Sequence, residues 1–325
     1  MTTLDKIRGL FIGAFLGDAL GAPHEFRCNA GVKYTGKLQH RPFRTSRFQG
    51  TIELEVGQVT DDSEMTLTLL RTLIEDEEYN LDNVTLAYLG WANSGVKMMG
   101  KNTRALLKGV KTLRGYRNRL KKVLDLPMEE RTQSNGSLMR CSPLALFSDS
   151  TIIEKDASIT NPNTVSIECN KIYIHCLRQA LLGKEKDEIY EEISAMSKKM
   201  SRVVKDVFKQ INKNIKRDIS INKGWCCHGL YCAIYTMLNF DDYGSAMKWI
   251  IEQKGSDTDT NACISGALIG AINGYDKLKE DPITEKNIDI LINCDVDEGP
   301  MPRPEIYTVK DFRKLTRKAY KLFEE

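Results

Sequence analysis

Apolar residues recur at three- and four-residue steps along most of the chain. Ile7, Leu10, Phe11, Ala14, Phe15 and Ala19 give one apolar helix face near the N-terminus. Gly13, Gly17 and Gly21 lie four apart on one edge of that helix. Glycine weakens helices, so such an edge predicts close approach by a neighbouring backbone. A second helix is expected from Asp62 to Ile74, with Met65, Leu69, Leu70 and Leu73 inward. Others follow over 82–92, 101–113, 166–182, 187–213, 225–238 and 243–253. Ala262 to Ile272 is rich in Ala and Gly and is placed centrally; a last helix over 309–323 has a capping-box-like start at Thr308 and Asp311. Alternating strand patterns are nearly absent. The expected fold is all-α, a compact single-domain orthogonal helix bundle over residues 1–325, with no interdomain linker and no repeat of fixed period.

Composition narrows the class. With 325 residues, 41% apolar and 28% charged, the chain reads as a soluble globular protein with a substantial core. A net charge of +3 is too small to imply a nucleic-acid or membrane partner. Locally, Lys101 to Lys122 holds nine Lys or Arg and no acid. A solvated helix face is the plain reading of that run, and attraction of a polyanionic substrate is the functional one. Arg27 to Val59 forms a long loop with five Gly or Pro, a candidate lid. Nine cysteines with no CxxC pair point to free thiols in a reducing, intracellular setting, so a cytoplasmic location is expected. Cys226, Cys227 and His228 have no second Cys/His pair at zinc-site spacing and read as one buried and one half-buried thiol on a helix. The apolar run Ile7 to Phe15 is soon broken by Asp18, short of the about 20 residues of a bilayer span. It has no small-residue cleavage site behind it, so a packed helix, no membrane and a monomer are expected.

Four motifs carry the chemistry. Thr60-Asp61-Asp62-Ser63-Glu64 and Gly255-Ser256-Asp257-Thr258-Asp259-Thr260 each precede or open an apolar helix. Either alone is a good helix cap, because Ser, Thr and Asp satisfy orphan amides. Together they supply four mutually repelling carboxylates and several hydroxyls, a hard oxygen set suited to Mg²⁺, Mn²⁺ or Ca²⁺. That number of charges suggests two ions. Gly17-Asp18-Ala19-Leu20-Gly21-Ala22-Pro23-His24-Glu25 ends the first helix and sets Glu25 at the mouth of the long loop, as ligand or general base. Ser134-Asn135-Gly136-Ser137-Leu138-Met139-Arg140 offers backbone N–H groups for an anion if it precedes a helix, or is a plain turn.

These motifs, in this order and over residues 7–275, resemble the ADP-ribosylglycohydrolase family; Trp225 and the helix after it also fit a family segment. The resemblance implies a compact all-α fold with a binuclear metal cleft holding two Mg²⁺ ions, Mn²⁺ being the alternative. It implies Thr60, Asp61, Asp62, Asp257, Asp259 and Thr260 as metal ligands and Ser134, Asn135, Gly136 and Ser137 as substrate-binding. Glu25 falls where some members carry a glutamate on a closing loop. Two positions depart from the family pattern. Met98 stands where many members have an Asp that meets an arginine acceptor, and Asn161 stands where His is common.

The expected activity is Mg²⁺-dependent hydrolysis of the bond between ADP-ribose C1″ and a modified acceptor, releasing ADP-ribose. The substrate is an ADP-ribosylated protein or a nucleic acid. Glu25 and Asp257 are both candidate general bases. The alternatives are a catalytically silent ADP-ribose-binding or structural relative, and a two-metal phosphoesterase.

Overall fold

The computed structural model describes residues 1–25, 34–45, 50–297, 299 and 301–324. The helices are α1 Thr3–Gly21, α2 Asp61–Asp76, α3 Leu81–Ala92, α4 Lys101–Leu107, α5 Leu113–Leu124, α6 Thr151–Thr160, α7 Thr164–Leu182 and α8 Lys186–Ser197. They continue with α9 Arg202–Asn212, α10 Cys226–Asn239, α11 Tyr243–Ile251, α12 Thr258–Asn273, α13 Tyr275–Leu278, α14 Pro282–Ile292 and α15 Phe312–Glu324. A hairpin of β1 Arg41–Thr45 and β2 Gly50–Leu54 pairs antiparallel, Arg41 opposite Leu54 and Thr45 opposite Gly50. The fold is all-α as expected, with this hairpin inside the region read as one long loop. Residues 27–33 and 46–49 of that loop lie outside the described residues.

The centre is the antiparallel pair α1 and α12, buried along almost their whole lengths. The glycine edge is why they sit so close. A Cβ on Gly9 would lie 2.1 Å from the Gly270 carbonyl oxygen, on Gly13 2.2 Å from that of Gly266, and on Gly17 2.2 Å from that of Ala262. At the last step a Cβ on Gly21 would lie 2.5 Å from Cα of Asp259. Real Cβ atoms do not approach backbone so closely, so the four glycines fix both the separation and the alignment of the helices. Tyr243 donates its hydroxyl to the Gly13 carbonyl at 2.7 Å, and Tyr173 donates to Ile264 at 2.7 Å, bracing the pair from both flanks. The alignment brings the C-terminal end of α1, with Asp18 to Glu25, against the N-terminal end of α12, with Asp257 to Thr260.

Several boundaries differ from expectation. The predicted helix over 187–213 is two helices, α8 and α9, broken at 198–201, where the Ser201 N–H donates to the Glu168 carboxylate at 2.9 Å. The predicted helix over 101–113 ends at Leu107; Gly109 turns the chain at φ +77°, and Thr112 caps α5 by accepting from the Gly115 N–H. The final helix starts at Phe312 and not at the expected Thr308, and Asp311 just before it is held by Arg71 at 2.6 Å. The helices α5, α6, α13 and α14 are not among those expected from periodicity. Cys226 and Cys227 are both fully buried rather than one of them half-exposed.

Candidate metal centre and substrate loop

Neither acidic motif caps its own helix. Thr60, at the N-cap of α2, makes no side-chain cap bond, and neither does Asp257 at the N-cap of α12. The amides of α2 are satisfied from α1 instead. Asp18, fully buried, accepts from the Thr60 N–H at 2.9 Å and the Ser63 N–H at 3.1 Å. The Thr60 and Ser63 hydroxyls also donate to it, at 2.8 and 2.5 Å. A carboxylate that caps a helix from elsewhere leaves the local acids unspent. Asp62 is the beneficiary: it is buried, and its Oδ1 has no hydrogen-bond partner among the described residues. An unpaired buried carboxylate oxygen is costly and rare in a folded protein.

The glycine seam delivers the second motif to the same place. One carboxylate oxygen each of Asp18, Asp62 and Asp259 lie within 4.8 Å of one another, as do one each of Glu25, Asp257 and Asp259. The two triads share Asp259. Asp257 accepts from Asn135 Nδ2 at 2.8 Å, and Asp259 accepts from the Thr260 N–H at 2.9 Å. Of the six residues expected as ligands, Asp62, Asp257 and Asp259 come together in these triads. The Thr60 hydroxyl lies 3.2 Å from Asp62, and Thr260 hydrogen-bonds the same carboxylate. Asp61 is half-buried, outside both triads, and accepts from the Gly100 N–H at 3.2 Å. Asp18 was not singled out from the sequence. Its signal was an acid on the buried stretch of an otherwise apolar helix.

The charges strain one another. Burial first, and then the Asp18 and Asp61 charges, push Asp62 well above the usual carboxylate range. Burial, then Glu25 and Asp62, do the same to Asp259. Burial and Asp18 push Asp61 up to about 7. Burial also raises Asp257, against the opposing hydrogen bond from Asn135. Burial also raises Glu64, with a smaller contribution from Asp18, but here a cation opposes the shift. Arg303 grips it through two bonds of 2.7 and 2.8 Å, and Trp91 Nε1 donates to it at 2.7 Å.

The loop Ser134–Ser137 forms one wall. It is tied to the segment before α10: Ser134 bridges to Trp225, the Asn135 N–H donates to the Gly224 carbonyl, and the Cys226 N–H donates to Gln133. No α-helix follows it directly. The Leu138 and Met139 N–H groups turn back to the Asn135 carbonyl, and a short 3-10 turn comes at Ser142–Leu146. Ser137 is fully buried and accepts from Asn170, so it anchors the loop instead of facing the cleft. Asn161 is also fully buried and donates to the Ser134 carbonyl and hydroxyl at 3.0 and 2.9 Å. Below the loop, Arg140 donates to the Gly136 carbonyl and lies against Asp156 and the Tyr88 ring. Met98 packs beside Ala22, Leu54 and Met301 in a small apolar cluster.

The chain as a whole is similar to known proteins. The sequence model of the ADP-ribosylglycohydrolase family matches residues 1–291. A protein of Acanthamoeba polyphaga mimivirus named as an ADP-ribosyl glycohydrolase is 25% identical, covering 93% of this chain and 97% of the relative. The ADP-ribosyl-[dinitrogen reductase] glycohydrolase of Rhodospirillum rubrum is 25% identical over 84% of this chain and 87% of its own. The ADP-ribosylarginine hydrolase Tri1 of Pseudomonas putida is 23% identical over 83% and 71%. Among solved structures, an ADP-ribosylglycohydrolase-related protein complex aligns with TM-score 0.69 at 20% identity, over 99% of this chain and 98% of that one.

Proposed function

The chain belongs to the ADP-ribosylglycohydrolase family, enzymes that hydrolyse glycosidic bonds to ADP-ribose, and from that premise we propose that its activity depends on two hard divalent cations, Mg²⁺ by preference. The observation that carries the proposal is the pair of carboxylate triads meeting at Asp259 while neither acidic motif caps its own helix. The donor set fits the group: all oxygen, negatively charged, and including a buried Asp62 oxygen with no partner. Asp62, Asp257 and Asp259 would hold the ions, with the Thr60 and Thr260 hydroxyls and Asp61 at the margin. Asp18 already accepts four hydrogen bonds, so it orients Thr60 and the start of α2. Bound there, the cations would orient the ribose hydroxyls and offset charge developing during cleavage.

The remaining chemistry falls to side chains. Cleavage passes through a transition state with oxocarbenium character at C1″. Water attacks C1″, the bond to the acceptor breaks, and one water proton needs a carboxylate. Glu25 suits that role: it is half-buried, at the rim of the cleft, and directed toward Asp257 and Asp259. Asp257 is buried and committed to Asn135, which suits a ligand. The proton taken by Glu25 then leaves with the departing acceptor. Asn135 fixes Asp257, and the loop around it faces the diphosphate side of the substrate.

For the acceptor, the relatives' names favour ADP-ribosylated protein. Met98 sits in an apolar cluster, an unsuitable neighbour for a guanidinium. Lys101, Lys111, Arg114, Lys121 and Lys122 are exposed on the α4–α5 flank, which supports testing nucleic-acid-linked ADP-ribose as well. The deciding experiment is a panel of arginine-, serine- and nucleic-acid-linked ADP-ribose, assayed for release with Mg²⁺ and with EDTA. Release on at least one linkage, abolished by EDTA and restored by Mg²⁺, is expected. Equal release under both conditions overturns the metal dependence. Tight ADP-ribose binding with no turnover on any linkage favours a silent relative.

A further inference from the structure

Three thiols meet inside the bundle, away from the acidic cleft. Cys169 comes from α7, and Cys226 and Cys227 open α10. All three are fully buried. Their sulfur atoms lie within 4.8 Å of one another, with Cys169 and Cys227 3.8 Å apart. The sequence concealed this, because Cys169 is 57 positions before Cys226 and belongs to no recognisable metal spacing.

We propose that Cys169, Cys226 and Cys227 form a site for one soft, thiolate-seeking d¹⁰ cation, Zn²⁺ or Cu⁺, which braces the substrate loop from behind. Geometry supports it. A tetrahedral site with metal–sulfur bonds of about 2.3 Å has sulfur–sulfur edges of about 3.8 Å, the separation seen for Cys169 and Cys227. A fourth donor is at hand, since the buried Ser166 hydroxyl lies 3.8 Å from Cys226 Sγ. Soft sulfur donors select Zn²⁺ or Cu⁺ over Mg²⁺, so the two centres in one chain would not compete. Binding requires each thiol to give its proton to solvent. Three thiolates around Zn²⁺ then leave one net negative charge, and the buried Arg217 guanidinium beside Cys227 offsets it.

The position gives the site a purpose. The Cys226 N–H is bonded to the Gln133 carbonyl, and two residues earlier Gly224 accepts from the Asn135 N–H. A cation fixing Cys226 to α7 therefore fixes the strand-like segment that holds Asn135 against Asp257.

The test begins with metal content. Wild-type protein refolded with Zn²⁺ and then dialysed against EDTA should retain one equivalent of zinc, while Cys169→Ala and Cys227→Ala retain none and Cys232→Ala retains it. Should those variants fail to fold, wild type alone decides. Refolded with Co²⁺ and dialysed in the same way, it should show a thiolate-to-metal charge-transfer band. The acidic cleft, having only oxygen donors, cannot give that band. No retained cation together with no charge-transfer band overturns the proposal, as does equal retention by wild type and Cys169→Ala.

Discussion

Gly17→Ala is the sharpest probe of how the fold builds the site. The new Cβ would stand 2.2 Å from the Ala262 oxygen, 2.6 Å from its carbonyl carbon and 3.1 Å from the Cys263 nitrogen. All three are backbone atoms of α12, so no side chain can rotate away. Ordinary contact begins at 3.4 Å, and the helices must part locally by about 1.2 Å. Overpacking of this kind costs about 1–3 kcal/mol, and alanine recovers about 1 kcal/mol through helix propensity. The net loss is at most about 2 kcal/mol, and each kcal/mol lowers the melting temperature by roughly 2–4 °C in a large domain. The effect on catalysis is larger in proportion. Gly17 lies one turn from Gly21 and Asp259, and a misplacement of about 1 Å costs about 10²-fold in rate. The control is Gly9→Ala at the far end of the same seam, where a Cβ meets the Gly270 oxygen at 2.1 Å. Thermal unfolding and kcat with Mg²⁺ should show both variants destabilised, but only Gly17→Ala losing about 10²-fold in kcat. Wild-type kcat in Gly17→Ala, or an equal loss in Gly9→Ala, refutes the claim that the seam positions the acids.

Other outcomes follow from the same geometry. Glu25→Gln should lower kcat by about 10²–10⁴-fold while KM moves little, as for a lost general base; an unchanged kcat shifts that role to Asp257. Asp61, Asp62 and Asp259 have folded-state values above their ordinary ones, Asp61 at about 7. The Asp61 contribution to stability is therefore complete below about pH 4 and is lost as pH rises through about 7, and those of Asp62 and Asp259 are lost in the same direction. The melting temperature in EDTA should fall between about pH 5 and 8, and the increment from Mg²⁺ should grow over that range; an increment independent of pH contradicts this. Arg303→Met strands the buried Glu64 carboxylate and should cost about 3–5 kcal/mol by denaturant unfolding. Adding Glu64→Gln should recover most of that loss, whereas additive losses would show that the pair is not coupled.

Much of this was legible in the sequence, and the exceptions have physical causes. The glycine edge and the two acidic motifs were readable because each is local, with its chemistry carried by adjacent residues. Asp18 was not, because its partners Thr60 and Ser63 are more than 40 positions away; alone it looks like an interruption of an apolar helix. The break between α8 and α9 hid behind an unbroken apolar rhythm, since Ile189, Ile193, Val204, Val207 and Phe208 are all buried on either side of it. At the start of α9 the Ser201 amide goes to Glu168, a tertiary partner, and not back into α8. Ser137 was grouped with the cleft by position, yet its hydroxyl turns inward to Asn170. Side-chain direction within a turn is set by packing, which one-dimensional spacing does not record.

The α1–α12 seam also has a rotational phase. Each residue of an α-helix turns the next by about 100°, so one residue inserted in α12 between Asp259 and Gly266 would leave the Gly9–Gly270 and Gly13–Gly266 contacts in register and swing Asp259 about a quarter-turn away from Gly21 and out of the cleft. Surface loops away from Glu25 and the Ser134–Ser137 loop can lengthen without touching the chemistry. The stretch from Gly13 to Gly21 and its antiparallel counterpart from Asp259 to Gly266 should instead admit no insertion or deletion at all, which makes the length of an apolar segment, not only its composition, a condition for activity.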